Sequence, residues 1–124
     1  MIKFIVGEER QAIKEFAKEI VNAISEENYK VVGEKVDDLG SWNIEFLSEF
    51  IEHYKEDNGL EEIDDYEGCG SWQEHFYPYN DKSGIGYEYA FTSDAEENDL
   101  TLSMDFLFEG EYLKVIFESG ITVL

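Results

Sequence analysis

The chain has 124 residues, 43% of them apolar, and a formal net charge of −21 at pH 7, so we expect a single domain over residues 1–124 with enough apolar side chains for a core. Such a charge argues against direct binding to nucleic acid or anionic membranes, because an acidic field repels both. No apolar run approaches the roughly 18 residues of a membrane span, and the single cysteine, Cys69, cannot form an internal disulfide, so we expect a reducing cytoplasm.

The first strong periodic pattern runs from Glu8 to Ser25 and predicts an amphipathic helix. Its apolar positions follow helical spacing and are Ala12, Ile13, Phe16, Ala17, Ile20, Val21 and Ile24. Before this helix, Met1–Val6 fits either an edge strand or a lead-in. After it, Asn28–Leu39 fits either a short strand or a weak second helix, and the pattern does not choose between them.

A second main helix is predicted between Gly40 and Gly59, with Ser41 as its N-cap. The apolar face comprises Trp42, Phe46, Leu47, Phe50, Ile51 and Tyr54. Carboxylates at i, i+4, i+7 and i+11 form one row on this helix, and they are Glu45, Glu49, Glu52 and Glu56. Like charges at such spacing destabilise a helix by about a few tenths of a kcal/mol per pair, and only Lys55 lies nearby as a counter-charge.

The negative charge is concentrated in the interior of the sequence. Asp37–Leu113 holds 22 acidic residues and two lysines, so this segment carries −20 of the net −21. Within it, Leu60–Glu67 is predicted as a short helix or a loop that continues the acidic run. The same segment contains Trp42, Trp72 and the aromatic run Phe76–Tyr79. We expect the crowding of carboxylates to raise their pKa values through like-charge repulsion.

Alternating patterns of the β type begin after a predicted surface loop at Asn80–Gly84. The predicted strands are Ile85–Phe91, Leu100–Phe108, Tyr112–Glu118 and a short Ile121–Leu124, separated by an acidic loop at Thr92–Asp99 and a hairpin turn at Glu109–Glu111. The predicted fold class is therefore α+β. Two main N-terminal helices precede a 3–4-stranded antiparallel meander and pack on one face of that sheet.

The sequence contains no spacing that predicts catalysis or a metal site. The acids at Asp57 and at Asp94–Asp99 lack the glycine turn and ligand order of a calcium loop. Glu49 and His53 share a helix face, but one such pair supplies too few ligands for a transition metal. His75 is six residues from Cys69 in an acidic, glycine-rich stretch that does not favour a reactive thiolate. We expect no enzymatic activity, no metal and no cofactor.

An acidic surface mixed with aromatic side chains indicates a binding protein that docks on a basic protein and blocks it. In its size, its charge and its order of helices before strands, the chain resembles the small, acidic immunity proteins of bacterial polymorphic toxin systems, including contact-dependent growth inhibition. That resemblance implies a cognate toxin domain, often a nuclease, as the partner. The predicted contact residues are Glu45, Glu49, Glu52, Glu56, Asp57, Glu61, Glu62, Asp64, Asp65, Tyr66, Glu67 and Trp72.

Two other functions fit the same composition. A small α+β cone resembling the NTF2-like fold would hold an apolar ligand, or act as an enzyme, with a pocket among Trp72, Phe76, Tyr87 and Phe91. A DNA mimic would share the electrostatics of the inhibitor and differ only in its partner. The sequence itself names no partner and no oligomeric state.

Overall fold

The strands of the protein form one antiparallel sheet with helices packed against it. The computed structural model describes residues 1–66 and 71–123, apart from the side chain of Ser71, and these ranges contain three α-helices and five strands. The elements are β1 (Ile2–Lys3), α1 (Glu9–Ser25), α2 (Tyr29–Lys35), α3 (Ile44–Asp57), β2 (Glu74–Pro78), β3 (Gly84–Ser93), β4 (Glu96–Glu109) and β5 (Tyr112–Val123). The strands lie in the order β1-β5-β4-β3-β2, and every neighbouring pair is antiparallel.

The α+β class is confirmed, but the predicted count of three or four strands is wrong. Of the two edge strands, β1 lies within Met1–Val6, where an edge strand was one of two alternatives, and β2 was not predicted. The predicted strands Tyr112–Glu118 and Ile121–Leu124 are one strand, β5. β1 has only two residues, too few for a periodic pattern, and Ile2 pairs with Leu113. β2 ends in Pro78, which an edge strand tolerates because its outer side needs no hydrogen-bond donor. Phe76 of β2 pairs with Tyr87 of β3.

The predicted acidic loop at Thr92–Asp99 is instead a tight hairpin. β3 continues to Ser93, which pairs with Glu96 of β4. Asp94 and Ala95 form the turn with positive φ angles of 54° and 62°, the pattern of a type I′ turn. Neither residue is a glycine, so the sequence carries none of the usual hairpin signals at this point.

The ambiguous segment after α1 is the helix α2 followed by an extended stretch. Val36 ends α2 in an extended conformation. Asp37 and Asp38 then pair with the outer edge of β5, where both of their backbone N–H groups donate to the carbonyl of Val115 and the Asp37 carboxylate accepts from the Val115 N–H at 2.7 Å. These bonds cover part of an edge that β1 leaves open.

One buried cluster joins the three helices to β3, β4 and β5. Phe16 of α1 meets Phe106 of β4 edge-on, with ring centroids 5.9 Å apart. Tyr87 and Phe91 of β3 face the same cluster and are 1% and 0% exposed. In the described ranges, no helix combines the length and the apolar character needed to cross a membrane.

Candidate interaction surface

The helix α3 presents the predicted row of carboxylates to solvent. Asn43 caps it by accepting a hydrogen bond from the backbone N–H of Phe46 at 2.8 Å, so the prediction of Ser41 as N-cap is wrong. Leu47 and Ile51 are fully buried on the inner side. The row formed by Glu45, Glu49, Glu52 and Glu56 is exposed on the outer side, as the spacing predicted.

One member of this row, Glu52, is engaged within the protein. It accepts a hydrogen bond from the hydroxyl of Tyr29 at 2.6 Å and forms an ion pair with Lys55 at 2.9 Å. Lys55 also pairs with Glu27 at 2.8 Å, and only 5% of this lysine is exposed. The Lys55 ammonium therefore ties the α1–α2 connection to α3 and contributes no positive charge to the outer surface.

The expectation of a raised pKa is wrong for Glu52. Partial burial alone would raise the pKa of its carboxyl, but the hydrogen bonds from Tyr29 and Lys55 outweigh burial and lower it. Burial would likewise lower the pKa of Lys55, and the hydrogen bonds to Glu27 and Glu52 raise it instead. Burial and the bond to Glu52 raise the pKa of Tyr29. The hydrogen bonds that Tyr29 and Lys55 donate to Glu52 therefore lower its pKa by more than repulsion from the other carboxylates of the row raises it.

The segment after α3 turns some side chains inward and others outward. Gly59 follows the helix with a φ of +64°, and Ile63 is buried in the core. Asp64 accepts hydrogen bonds from the hydroxyl of Thr92 at 2.8 Å and from the backbone N–H of Ala95 at 2.7 Å. Among the predicted contact residues, Asp64 is therefore engaged in holding the β3–β4 turn.

Tyr66, another predicted contact residue, is half-buried. Its ring stacks on Tyr89 with centroids 5.6 Å apart, and its hydroxyl donates to Glu74 at 2.6 Å. Trp72, by contrast, is 50% exposed and lies just before β2. The pairing register of β2 and β3 places it at the β2 edge, toward the end of the sheet that carries the β3–β4 turn. The predicted contact residue Glu67 lies outside the described residues, as does Cys69.

The β3–β4 turn adds carboxylates that the contact prediction did not include. Asp94 and Glu96 line a cleft of about 460 Å³ together with Glu61 and Glu62. A second cleft places Asp94 beside Asp65. The sequence signal for these acids was present at 94–99, but no local pattern indicated that the turn would fold back on the segment after α3. We call the continuous exposed set the acidic ridge, and it comprises Glu45, Glu49, Glu56, Asp57, Glu61, Glu62, Asp65, Asp94 and Glu96.

An apolar groove runs along α3 beside the acidic ridge. Its floor is formed by Phe46, Phe50, His53 and Val123, with Glu49 and Asp57 also lining it, and its volume is about 290 Å³. Phe46 is 48% and Val123 51% exposed, although the helical pattern assigned Phe46 to the apolar face. We call this feature the α3 groove.

Trp42 supports the α3 groove from below. Its indole lies 5.0 Å from the ring of Phe46 and 5.7 Å from that of Phe117, measured between centroids. The indole N–H donates to the backbone carbonyl of Glu118 at 3.2 Å, which fixes the orientation of the indole against β5. The aromatic floor of the groove is therefore held by contacts to the sheet as well as by the helix.

Within residues 1–66 and 71–123, no three His, Cys, Asp or Glu side chains form a group that could hold a metal ion. His75 lies on the exposed side of β2. Glu49 and His53 share the α3 groove as the helical spacing predicted.

Comparison with known proteins places the chain in a family. A family model described as a domain of unknown function, DUF7668, matches residues 21–124, so the chain belongs to that family. Searches of curated proteins and of solved structures found no match.

Proposed function

We propose that this member of the DUF7668 family is an acidic inhibitory binding protein that docks on a basic protein and neutralises it by covering its surface. The observation that carries this proposal is the acidic ridge, in which exposed carboxylates from α3, the following segment and the β3–β4 turn adjoin one another. The one lysine in these segments, Lys55, is buried and paired. Such a surface attracts cationic proteins.

The acidic ridge and the α3 groove are expected to affect different rate constants of binding. Charge complementarity acts mainly on association, which it can accelerate roughly 10²–10³-fold at low salt. Exposed aromatic and aliphatic side chains such as Phe46, Val123 and Trp72 act mainly on dissociation, because burying them removes apolar surface from water. The two features together favour a protein partner over a simple cation.

The proposed partner is a cognate toxin domain, in keeping with the acidic immunity proteins that the chain resembles in size, charge and order of elements. A nuclease is basic where it contacts the phosphate backbone. An acidic surface seated on that site would exclude the substrate by both charge and volume. A DNA-binding protein would be attracted in the same way, so the identity of the captured partner separates an immunity protein from a DNA mimic.

The packing of β3 argues against a ligand carrier of the NTF2-like type. Of the four aromatic residues expected to line an internal pocket, Tyr87 and Phe91 fill the core, Phe76 packs against it and Trp72 is exposed. The ring of Tyr87 contacts those of Phe76 and Phe106 at centroid distances of 5.4 and 6.3 Å. Phe91 contacts Tyr89 at 5.4 Å. Neither Tyr87 nor Phe91 lines any of the surface clefts described here.

The test is co-purification with a toxin domain, followed by a comparison of two variants of equal net charge. The ridge variant carries Glu56→Gln, Glu61→Gln, Glu62→Gln and Glu96→Gln, none of which lines the α3 groove. The control variant carries Glu8→Gln, Glu26→Gln, Glu109→Gln and Glu111→Gln. All eight carboxylates are exposed, so each variant loses four negative charges without removing a described hydrogen bond.

We expect the ridge variant to associate with the captured basic domain at least about tenfold more slowly than the control variant at low salt. Cells that express the toxin domain should survive with the wild-type chain or the control variant, and should die with the ridge variant. Equal association rates for the two variants, or an affinity that does not weaken with added salt, would contradict charge-led docking through the ridge.

A further inference from the structure

The α3 groove combines an apolar floor with an acidic rim. Phe46, Phe50 and His53 follow one another at helical spacing along α3, and Val123 of β5 closes the groove from the side of the sheet. Glu49 and Asp57 stand eight residues apart, which is about 12 Å along the axis. Neither carboxylate has a hydrogen bond or an ion pair to any residue in the described ranges.

Single exposed apolar residues are ordinary, but this arrangement is more specific. The two half-exposed apolar side chains, Phe46 and Val123, line the same groove, and the Trp42 indole holds the first of them in place. The rings of Phe46 and Phe50 lie 6.3 Å apart at an interplanar angle of 67°. The floor therefore offers an aromatic face that is already ordered before a partner arrives.

The chemistry of the rim selects the side chain that fits. A purely apolar partner residue would strip water from two carboxylates and give them no donor in return, which is costly. A lysine would satisfy one carboxylate, but its ammonium is strongly hydrated and does not stack well on rings. An arginine has a planar guanidinium that lies flat on an aromatic face while its N–H groups reach a carboxylate at the edge.

We propose that the α3 groove is an anchor site for an arginine side chain of the basic partner, with the guanidinium flat on the Phe46 ring, beside the tilted Phe50 ring, and with its N–H groups donating to Glu49 or Asp57. This inference rests on the proposed function, because it assumes a basic protein partner, and it adds where and by which residue that partner is held. The acidic ridge brings the partner to the surface, and the groove fixes its register.

Hexa-arginine amide and hexa-lysine amide are suitable probes, because they carry equal charge and differ in the group that the groove recognises. Binding is measured by isothermal titration calorimetry at about 150 mM salt, where long-range attraction is partly screened. We expect hexa-arginine to bind about threefold more tightly than hexa-lysine. In methyl NMR spectra, hexa-arginine should shift the Val123 resonances and hexa-lysine should shift them less.

Two double variants on the same helix separate the groove from charge alone. Glu49→Gln with Asp57→Asn neutralises the rim, and Glu45→Gln with Glu56→Gln removes the same charge from positions that do not line the groove. We expect the rim variant to weaken hexa-arginine binding about tenfold and the control variant to weaken both peptides slightly and equally. Phe46→Leu keeps an apolar side chain and should abolish the preference for arginine.

The outcomes distinguish this inference from the function on which it rests. Equal affinity for the two peptides, with equal effects of the two double variants, would overturn the arginine anchor and leave charge-led docking through the ridge intact. A preference for hexa-arginine that depends on Phe46, found together with equal toxin association by the ridge and control variants, would support the anchor and overturn the ridge. Failure of both peptides to bind would overturn the anchor.

Discussion

The carboxylate of Asp64 compensates for an unusual turn. Asp94 and Ala95 both adopt positive φ without being glycines, a conformation that costs free energy for residues with a side chain. The Asp64 carboxylate accepts hydrogen bonds from the backbone N–H groups of both residues and from the hydroxyl of Thr92. It therefore satisfies donors that the turn would otherwise leave without acceptors, and it joins the segment after α3 to the sheet.

We predict that Asp64→Asn lowers the free energy of unfolding by about 1–3 kcal/mol, because the amide replaces one acceptor oxygen with a donor that faces other donors. Urea denaturation measures this loss. Glu61→Gln is the matched control, since it removes the same charge from an exposed position on the acidic ridge. The control should be neutral or slightly stabilising, because it reduces repulsion. Equal destabilisation by both variants would contradict the capping role.

The bond between Tyr29 and Glu52 predicts a dependence of stability on pH. Because hydrogen bonds from Tyr29 and Lys55 outweigh partial burial and lower the pKa of Glu52 in the folded state, the ionised carboxylate stabilises the fold. That contribution is complete above the usual value of 4.5 and is lost as the pH falls through the lower folded pKa. Tyr29→Phe should therefore cost about 1–2 kcal/mol near neutral pH, and less below about pH 4.

Denaturation of the wild-type chain and Tyr29→Phe across this pH range tests the sign of the effect, and carbon NMR titration should show the Glu52 pKa rising in the variant. Tyr112→Phe is the control, because Tyr112 is 43% exposed and its hydroxyl has no hydrogen bond within residues 1–66 and 71–123. We expect Tyr112→Phe to match the wild-type chain at every pH. A Tyr29→Phe deficit that grows on acidification would contradict the mechanism.

At the scale of elements, the sequence predicted the helix and the strands that have a periodic apolar pattern. It missed the strand and the turn that are formed by contacts between residues far apart in the sequence. The helical spacing of apolar residues over 8–25 predicted α1 to within one residue at each end. Alternation of apolar and polar residues predicted the central parts of β3 and β4. β2 was missed because Pro78 is typical of a break in a strand, and because its pairing with β3, in which Phe76 lies opposite Tyr87, joins residues that are not neighbours in the sequence. The β3–β4 turn was missed because Asp64, some thirty residues earlier, completes it.

The strand β5 contains a glycine, Gly120, at a position where the neighbouring Trp42 leaves no room for a side chain. The pairing of β4 with β5 shifts between Ser103 and Asp105, and Gly120 on the shifted side has a φ of +56°. A β-carbon at Gly120 would overlap the indole of Trp42. The irregularity thus lets Trp42 lie close against β5 while it supports the α3 groove.

We predict that Gly120→Ala destabilises the fold far more than Gly110→Ala. Both positions have positive φ, but no atom lies within 4 Å of the β-carbon that Gly110→Ala would add. Gly110→Ala should cost about 1–2 kcal/mol for conformation alone, and Gly120→Ala about 1–3 kcal/mol more for the clash. Urea denaturation followed by Trp42 fluorescence in a Trp72→Phe background provides the measurement. Equal losses would show that Trp42 does not press on β5.

At the scale of the whole molecule, the charge balance differs along the chain: residues 1–36 hold seven acidic and six basic residues, and Asp37–Leu113 holds 22 acidic residues and two lysines. Lys82 lies in the turn between β2 and β3, at the end of β3 opposite to the β3–β4 turn, and β3 itself is about 30 Å long by strand rise. Six of the nine basic residues precede Asp37 in the sequence. The sequence predicted the composition of the ridge on α3, since helical spacing is local. It did not predict that Asp94 and Glu96 join the ridge, because this requires the β3–β4 turn to lie beside the segment that follows α3.

Crowding of charge on the ridge predicts that salt stabilises the fold. Raising NaCl from about 20 mM to about 500 mM should raise Tm, because it screens repulsion among the exposed carboxylates. At low salt the ridge variant Glu56→Gln/Glu61→Gln/Glu62→Gln/Glu96→Gln should melt roughly 2–4 °C above the control variant of equal net charge. Differential scanning calorimetry measures both. Identical Tm values would mean that the ridge carboxylates are no more crowded than those elsewhere.

The buried ammonium of Lys55 has a practical consequence for anyone who wishes to trap the partner covalently. Cross-linkers that react with primary amines have no accessible target on α3, since only 5% of Lys55 is exposed. Carbodiimide coupling reverses the roles, because it activates carboxylates on this chain for attack by lysines of the other protein. Lys55 Nζ lies 2.9 Å from Glu52 and 2.8 Å from Glu27, so after losing its proton it would form one internal amide link, to one or other activated carboxylate. That link gives mass spectrometry an internal standard for the yield.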